Sequence, residues 1–385
     1  MEEARILLEL RQYYASWTKV INCYIIPVVA VIIVISSTFV IMVYYKEYRS
    51  TENNIRKVAC IMYAAISFAN VTAVAPKAIF YLYAFTHGNI THFIPFKLCW
   101  IWYFMNQVTT IPHTASICLV SLLSLQRYMI ITCPFSASKK WTVKRTVLTI
   151  IIVWILSILF QITSMLGFKF TPSDIECQRY HSNNNTCATC YVYFADWLQG
   201  HGETLGICNL ITKFLVVLLP SSVTIIYCNI SLVLYLREIT KVHQMLTKMP
   251  KIVINNVLGG THSRTVHKHH QDKPHILLIV VLSSIVFVVD IPYIVLMCIK
   301  IYYLSVPSAE SMEWFWIGPT RNVADLTLVC SYPALFILSC MISYRFRVLF
   351  WNLFKRKETY SSLKKGRYSR KDTVTNLSFA NGKRK

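Results

Sequence analysis

Charged side chains within long apolar stretches are costly unless they have a partner, and four of those in this sequence are candidates for function. They are Lys77, Arg127, Asp290 and Asp325. Each must face protein or water rather than hydrocarbon, which makes each a candidate functional residue. Asp290 and Asp325 together offer a charge-assisted site for a cationic group, above all a guanidinium. An ion pair between Lys77 and Asp325 that only joins two helices is the structural alternative.

Two uncharged polar residues, Thr109 and His113, lie four positions apart in the sequence. Four positions are about one turn of an α-helix, so both side chains face the same side. We expect them to line the cavity that holds Asp290 and Asp325. For His113, a hydrogen bond to a neighbouring helix is the alternative to contact with a ligand.

The patterns that mark catalytic and metal sites do not occur. The sequence contains no His-Glu-x-x-His and no glycine-rich phosphate loop. The histidines of the basic segment 237–273 share no ligand spacing, and Gly259-Gly260 predicts a flexible loop there. The sequence therefore predicts no enzyme, no metal site and no cofactor.

Seven apolar stretches must position these polar residues. A membrane helix needs about 20 apolar residues to cross a hydrocarbon core about 30 Å thick, and lipid leaves backbone polar groups no partner outside the helix. The stretches run Val20–Tyr45, Val58–Tyr83, Leu98–Ile131, Val147–Phe168, Leu205–Leu236, His275–Leu304 and Trp314–Ser343. With 55% hydrophobic residues overall, the sequence predicts an all-α membrane protein, a seven-transmembrane helix bundle.

The positive charge of the chain is unevenly spread, and its distribution predicts the orientation. Most of the 39 lysines and arginines fall in the loops and tail that lie inside if the N-terminus is outside. The net charge of +22 then faces anionic lipids and acidic partners, which argues against nucleic acid. We therefore expect a multi-pass protein of the plasma membrane. Sequons at Asn89 and Asn184 fall in predicted outer loops, where they are candidate glycosylation sites.

Four segments are predicted along the chain. Residues 1–19 are polar, resemble no signal peptide and are expected outside the cell, so the first helix serves as signal-anchor. Residues 20–343 form the bundle. Residues 344–356 place their apolar side chains on one face, which predicts an amphipathic helix lying on the membrane lipids. Residues 357–385 are predicted to be a disordered inner tail whose phosphorylation recruits regulators such as a kinase or arrestin.

Three cysteines lie in the long predicted outer loop, and one lies at the outer start of the third stretch. The loop holds Cys177, Cys187 and Cys190, and the third stretch begins near Cys99. Both places face the oxidising side, which predicts a disulfide between them. We favour the pair Cys99 and Cys190. A second bridge between Cys177 and Cys187, or one free cysteine, remains open.

The third stretch ends in Arg127-Tyr128. A cation at this position either reaches toward the head groups, which is the plain structural reading, or has a partner and a function. Other marks accompany it, namely Trp154, Pro220, Phe287-Val-Val-Asp-Ile-Pro292 and Phe346-Arg347. With these marks the chain resembles the rhodopsin-like G-protein-coupled receptors. Two motifs, His113-Thr-Ala-Ser-Ile-Cys-Leu119 and Asp290-Ile-Pro292, are similar to invertebrate neuropeptide receptors of the myosuppressin, FMRFamide and sex-peptide type.

The resemblance implies a mechanism and partners. An extracellular peptide ending in Arg-Phe-amide would bind among Lys77, Thr109, His113, Asp290 and Asp325. The sixth helix, kinked at Pro292, and the fifth, broken at Pro220, would then move and release Arg127 and Tyr128 toward a heterotrimeric G protein. A small-molecule chemosensory receptor on the same bundle is the alternative. A transporter or channel fits less well, because seven spans do not divide into repeated halves.

The sequence also departs from the pattern of that family. The departures are Ser37 for an Asn in the first helix, Ser67 or Phe68 for the sodium-binding Asp in the second, Trp102 for the usual Cys, Gln126 for the acid before Arg127, and Leu335–Ser339 in place of Asn-Pro-x-x-Tyr. Trp102 leaves Cys99, about one turn earlier, as the nearest cysteine, and the other departures each remove a polar switch of the resembled receptors. We therefore expect an atypical member with a weakened resting lock on Arg127.

Overall fold

The computed structural model describes residues 17, 20–86, 96–173, 189–195, 202–248, 261–305 and 310–354. Within them it contains seven helices long and apolar enough to cross a membrane. These first to seventh spans are Ile21–Ser50, Asn54–Tyr83, Leu98–Thr132, Val143–Ile162, Thr204–Glu238, Ile276–Ile299 and Asn322–Ile342. The prediction of a seven-span helical bundle is confirmed.

The helices that contain the spans extend beyond them. The α-helices of the first six spans are Ile26–Ser50, Asn54–Thr86, Phe96–Thr132, Val143–Leu166, Gly202–Lys213 with Leu219–Lys248, and Thr261–Ser305. One turn of π-helix opens the first span at Ile21–Ile25, and another divides the fifth at Phe214–Leu218. A short helix, Pro134–Lys140, joins the third and fourth spans.

The seventh span is made of two helices rather than one. Glu310–Ser331 ends at Tyr332-Pro333, and Ala334–Ile342 follows. Pro333 has no backbone N–H to donate and its ring crowds the preceding turn, which favours a break in the helix at this position. The Tyr332 N–H donates instead to the carbonyl of Val329 at 3.3 Å. The uninterrupted apolar run of the sequence did not predict this break.

Two strands, which the sequence did not predict, lie between the fourth and fifth spans. Strand β1, Phe168–Ser173, pairs antiparallel with strand β2, Thr189–Phe194. Both strands contact the helix of the third span. We call this side of the bundle the hairpin end. Residues 174–188, with Cys177, Cys187 and the Asn184 sequon, lie outside the described residues, as does Asn89.

A short helix follows the seventh span, as the sequence predicts, and runs Tyr344–Phe354. We call it the eighth helix and its side of the bundle the eighth-helix end. It buries Phe346 in the main apolar core while Trp351 and Phe354 stay exposed. Phe350 packs edge-on against Phe39 of the first span at 5.3 Å between ring centroids. The tail beyond it, and nearly all of residues 1–19, lie outside the described residues.

The core of the bundle is densest toward the eighth-helix end. Tyr44 of the first span stacks on Tyr63 of the second at 4.6 Å, and its hydroxyl lies 3.3 Å from that of Ser339. Leu119 and Leu123 of the third span are fully buried in the same cluster. Many large apolar side chains on the other helix faces are exposed, as expected for helices in lipid.

Candidate functional site

A salt bridge joins the second and seventh spans near the hairpin end. The Lys77 ammonium donates to Oδ2 of Asp325 at 2.7 Å, and the two side chains are 13% and 22% exposed. The Lys77 Nζ atom also lies 6.0 Å from the ring centroid of Tyr81. The ion pair that the sequence left open as an alternative is therefore present. Because both side chains keep some exposure, a second cation can still approach the Asp325 carboxylate.

Deeper in the bundle, His113 links the third span to the seventh. The Tyr332 hydroxyl and His113 Nδ1 lie 3.3 Å apart, and both groups are buried. The imidazole ring also packs edge-on against Tyr293 of the sixth span at 5.6 Å. The hydrogen bond to a neighbouring helix, left open for His113, is thus observed. Tyr332 sits at the helix break, so His113 contacts the one discontinuity of the seventh span.

A small, partly open cavity lies beside this contact. Its polar lining comes from Asn70, His113, Ser116, Asp290, Ser331 and Tyr332. Asp290 is only 3% exposed, and its Oδ1 and the Nε2 of His113 have no hydrogen-bond partner among the described residues. The volume of about 20 Å³ suits a single water molecule. A guanidinium group does not fit, so the bundle must rearrange before a ligand touches Asp290.

Thr109 takes no part in these contacts. Its hydroxyl donates to the carbonyl of Asn106 in its own helix at 3.0 Å, and it is not among the residues that line the cavity. The structure thus brings His113 next to Asp290 and Lys77 next to Asp325, while Thr109 stays separate from both groups. Its predicted role in ligand binding stays a prediction.

A second polar cluster, which the sequence reasoning missed, joins the third, fourth and fifth spans. The Lys213 ammonium donates to Oε1 of Gln161 at 2.6 Å, and the Gln161 amide donates to Oε1 of Gln107. Gln161 is 3% exposed. Lys213 lies directly before the π turn of the fifth span, a feature that often marks functional positions. A signal existed in the sequence, since Lys213 is a cation inside an apolar stretch just as Lys77 is.

The residues predicted to couple to a G protein lie at the eighth-helix end. The hydroxyl of Tyr128 lies 3.1 Å from that of Tyr227 on the fifth span, with the two rings edge-on. The buried Nε of Arg127 has no hydrogen-bond partner in the described part of the chain. Gln126 is 0% exposed, and both polar atoms of its amide are likewise without a partner there.

The two prolines predicted to shape the fifth and sixth spans lie inside helical segments. Pro220 is the second residue of the helix Leu219–Lys248, directly after the π turn. Pro292 lies within the helix Thr261–Ser305, two residues after Asp290. Their roles in movement stay predictions.

The position of the helix break corrects the alignment of the seventh span. The segment that replaces Asn-Pro-x-x-Tyr was predicted at Leu335–Ser339. In the structure, the break of the seventh span at a proline is at Tyr332-Pro333. Tyr332-Pro333-Ala-Leu-Phe336 is therefore the matching segment. Phe336 packs against Phe346 of the eighth helix at 6.0 Å. The segment thus links the His113 contact to the eighth helix.

Cys99, at the hairpin end of the third span, is buried and disulfide-bonded. Nine of the 13 cysteines are free, which leaves Cys177, Cys187 and Cys190 as its possible partners. Cys190 lies on β2 opposite Pro172, on a strand that contacts the helix of Cys99. Pairing with Cys190 stays a prediction.

Comparison with known protein families identifies a match. The family model described as 7 transmembrane receptor (rhodopsin family) matches residues 92–322, more than half of the chain. No curated protein matches the sequence.

Proposed function

Since this chain belongs to the rhodopsin family of seven-transmembrane receptors, and so binds an extracellular ligand and signals through a G protein, we propose that its ligand is a peptide with an arginine near an amidated C-terminus. The Lys77–Asp325 pair carries this proposal, because among the described residues it is a charged pair that keeps some exposure at the hairpin end. We propose that the hairpin end faces outward and the eighth-helix end inward, in keeping with the distribution of basic residues.

The chemistry of the pair favours exchange of one cation for another. Asp325 is held by an ammonium, which offers single hydrogen bonds from a compact charge. A guanidinium offers two parallel hydrogen bonds to a carboxylate and loses less hydration on binding. An arginine of the ligand can therefore replace Lys77 at Asp325 and leave the Lys77 ammonium to a carbonyl of the same peptide.

Such an exchange would act on the helix break. Asp325 and Tyr332 are seven residues apart, two helical turns, so they lie on one face of the seventh span. Tyr332 contacts His113 of the third span, and that helix continues to Arg127. Movement of Asp325 on ligand binding would change the Tyr332–His113 contact. The bundle would then shift toward a state in which the sixth span has moved and Arg127 contacts the G protein.

The ligand class is tested by expressing the receptor in cells that report calcium or cyclic AMP. We expect amidated peptides ending in Arg-Phe to elicit a response and the same peptides with the arginine replaced by citrulline to fail, since citrulline keeps the shape and loses the charge. A response to small volatile or water-soluble compounds, with none to any peptide, would replace the peptide proposal by the chemosensory alternative.

A further inference from the structure

We propose that Asn229 of the fifth span is a positioning residue that restrains the sixth span in the resting receptor. Its side-chain amide bonds to two consecutive serines of the sixth span, Ser283 and Ser284, and we call these three side chains the amide clasp. The proposal rests on the function proposed above, in which the sixth span moves as the receptor becomes active. No comparison assigns a role to Asn229.

The amide clasp contains two hydrogen bonds that run in opposite directions. The Ser283 hydroxyl donates to Oδ1 of Asn229 at 2.7 Å, and Nδ2 of Asn229 donates to the hydroxyl oxygen of Ser284 at 3.3 Å. The acceptor and the donor of one amide are thus both used on the sixth span. A leucine in place of Asn229 has about the same size and can make neither bond.

The amide clasp lies within the apolar contact between the fifth and sixth spans, toward the eighth-helix end. Ile225 and Leu232, about one turn before and one turn after Asn229, are each 1% exposed. Leu232 shares an apolar cluster with Ile276 of the sixth span, and Ile131 of the third span packs against that cluster. The sixth span therefore lies close against the third and fifth spans at this end, an arrangement that an outward movement would open.

Both serines have a second hydrogen-bond acceptor within their own helix. The Ser283 hydroxyl lies 2.6 Å from the carbonyl oxygen of Ile279, and the Ser284 hydroxyl donates to the carbonyl of Val280 at 2.7 Å. These carbonyls move together with the serines, so both hydroxyls stay paired when the spans separate. The cost of opening then falls on the Asn229 amide, which suits a contact that is made in one state and absent in another.

The surroundings of the amide clasp determine how strongly it favours the closed arrangement. Ser283 is fully buried, while Ser284 is exposed on the outside of the bundle. Hydrocarbon offers no hydrogen bonds, so lipid cannot replace Ser284 as the acceptor of the Asn229 amide. Single hydrogen bonds between membrane helices are weak. The amide clasp therefore biases the equilibrium toward the resting state and still allows it to shift.

A purely structural role for Asn229 gives a different expectation. A contact that persists in both states stabilises both equally. Its loss lowers the unfolding free energy and leaves the ratio of the two states unchanged. The basal activity of the receptor, rather than its stability, therefore distinguishes the two roles.

The test compares variants of the full-length receptor without ligand, each corrected for surface expression. We expect Asn229→Leu to raise nucleotide exchange on purified G proteins by about three- to eightfold, the effect of losing one or two average hydrogen bonds between membrane helices. Ser283→Ala should raise it by about two- to threefold. The double variant should match Asn229→Leu, because the bond between the two residues is already absent there. Thr149→Val removes a hydroxyl that bonds to a carbonyl of its own helix and should match the wild type.

The proposal is overturned if Asn229→Leu leaves the basal rate unchanged, or if Ser283→Ala raises the rate of the Asn229→Leu receptor further. If Asn229→Leu does not reach the cell surface, Ser283→Ala decides alone, and an unchanged basal rate then rejects the proposal.

A receptor that activates none of the G proteins tried is examined by the distance between genetically encoded spin labels at Thr132 and Leu277, exposed residues of the third and sixth spans. Asn229→Leu should lengthen that distance, and an unchanged distance rejects the proposal. No ligand is used in either measurement, so the peptide assignment can fail without affecting the result.

Discussion

The two ends of this bundle differ in the pairing of their charged side chains and of the amides next to those charges. At the hairpin end they are paired, Lys77 with Asp325 at 2.7 Å and Lys213 with Gln161 at 2.6 Å. At the eighth-helix end the Gln126 amide and the Nε of Arg127 have no hydrogen-bond partner within the described residues. Paired groups fix the positions of the helices that carry them, and groups without partners favour a change of state that provides one.

This difference suits a receptor of the rhodopsin family. A ligand site benefits from helices held at fixed distances, and the salt bridge and the amide cluster hold the second, third, fourth, fifth and seventh spans. A coupling site must exist in two states, and buried groups without partners bring those states close in free energy. The small cavity beside Asp290 and His113 lies between the two ends. It is similar to the eighth-helix end, because one polar atom of each residue has no hydrogen-bond partner among the described residues.

The largest expected effect on signalling comes from replacement of Arg127, which lies at the eighth-helix end. Arg127→Ala should abolish ligand-stimulated nucleotide exchange on the G protein, because no other described basic residue takes its place at the end of the third span. Surface expression should stay at the level of the wild type. Arg145→Ala is the matched control, since Arg145 is exposed at the same end and should signal normally. Normal signalling by Arg127→Ala would reject its assignment as the coupling residue.

An effect of intermediate size is expected on stability, and one substitution at each end of the bundle measures it. Gln161→Leu removes the acceptor of Lys213 and should lower the unfolding free energy by about 1 to 3 kcal/mol. Gln126→Leu removes an amide that has no partner and should leave stability unchanged or raise it. Thermal unfolding of the two variants in the same detergent gives the comparison. Equal losses of unfolding free energy at both positions would show that the two ends do not differ in the pairing of these amides.

The smallest expected effect concerns the contact between the two ends. Tyr332→Phe keeps the ring and removes the hydroxyl that pairs with His113, which should cost about 0.5 to 1.5 kcal/mol of unfolding free energy. Tyr227→Phe, at an exposed tyrosine paired with Tyr128, should cost less. A larger loss for Tyr227→Phe would mean that the His113 contact contributes little to the resting bundle.

Much of the fold follows from the sequence because one strong physical constraint dictates it. Lipid requires long apolar helices, so the seven spans and the helix after them were predictable within a few residues of their ends. The hairpin was not, because its two strands of six residues lie 15 residues apart in the sequence, without the short turn that marks a hairpin. The break at Tyr332-Pro333 was missed because hydropathy continues through it, although Pro333 itself was a signal.

The candidate site was predictable where its members are charged. Lys77, Asp290 and Asp325 are conspicuous in apolar stretches, and two of them form the observed ion pair. The Gln107 and Gln161 amides were missed since neutral polar residues are unremarkable in a span.

The exchange of cations at Asp325 is the central claim, and one pair of variants tests it most directly. Potency of an amidated peptide ending in Arg-Phe is measured on Asp325→Asn and Lys77→Met receptors at equal surface expression. We expect Asp325→Asn to weaken potency by about ten- to a hundredfold, the effect of losing a charge-assisted pair of about 1.5 to 3 kcal/mol, and Lys77→Met to preserve or improve it. Equal loss of potency in both variants would mean that the salt bridge only joins two helices, and would contradict the account.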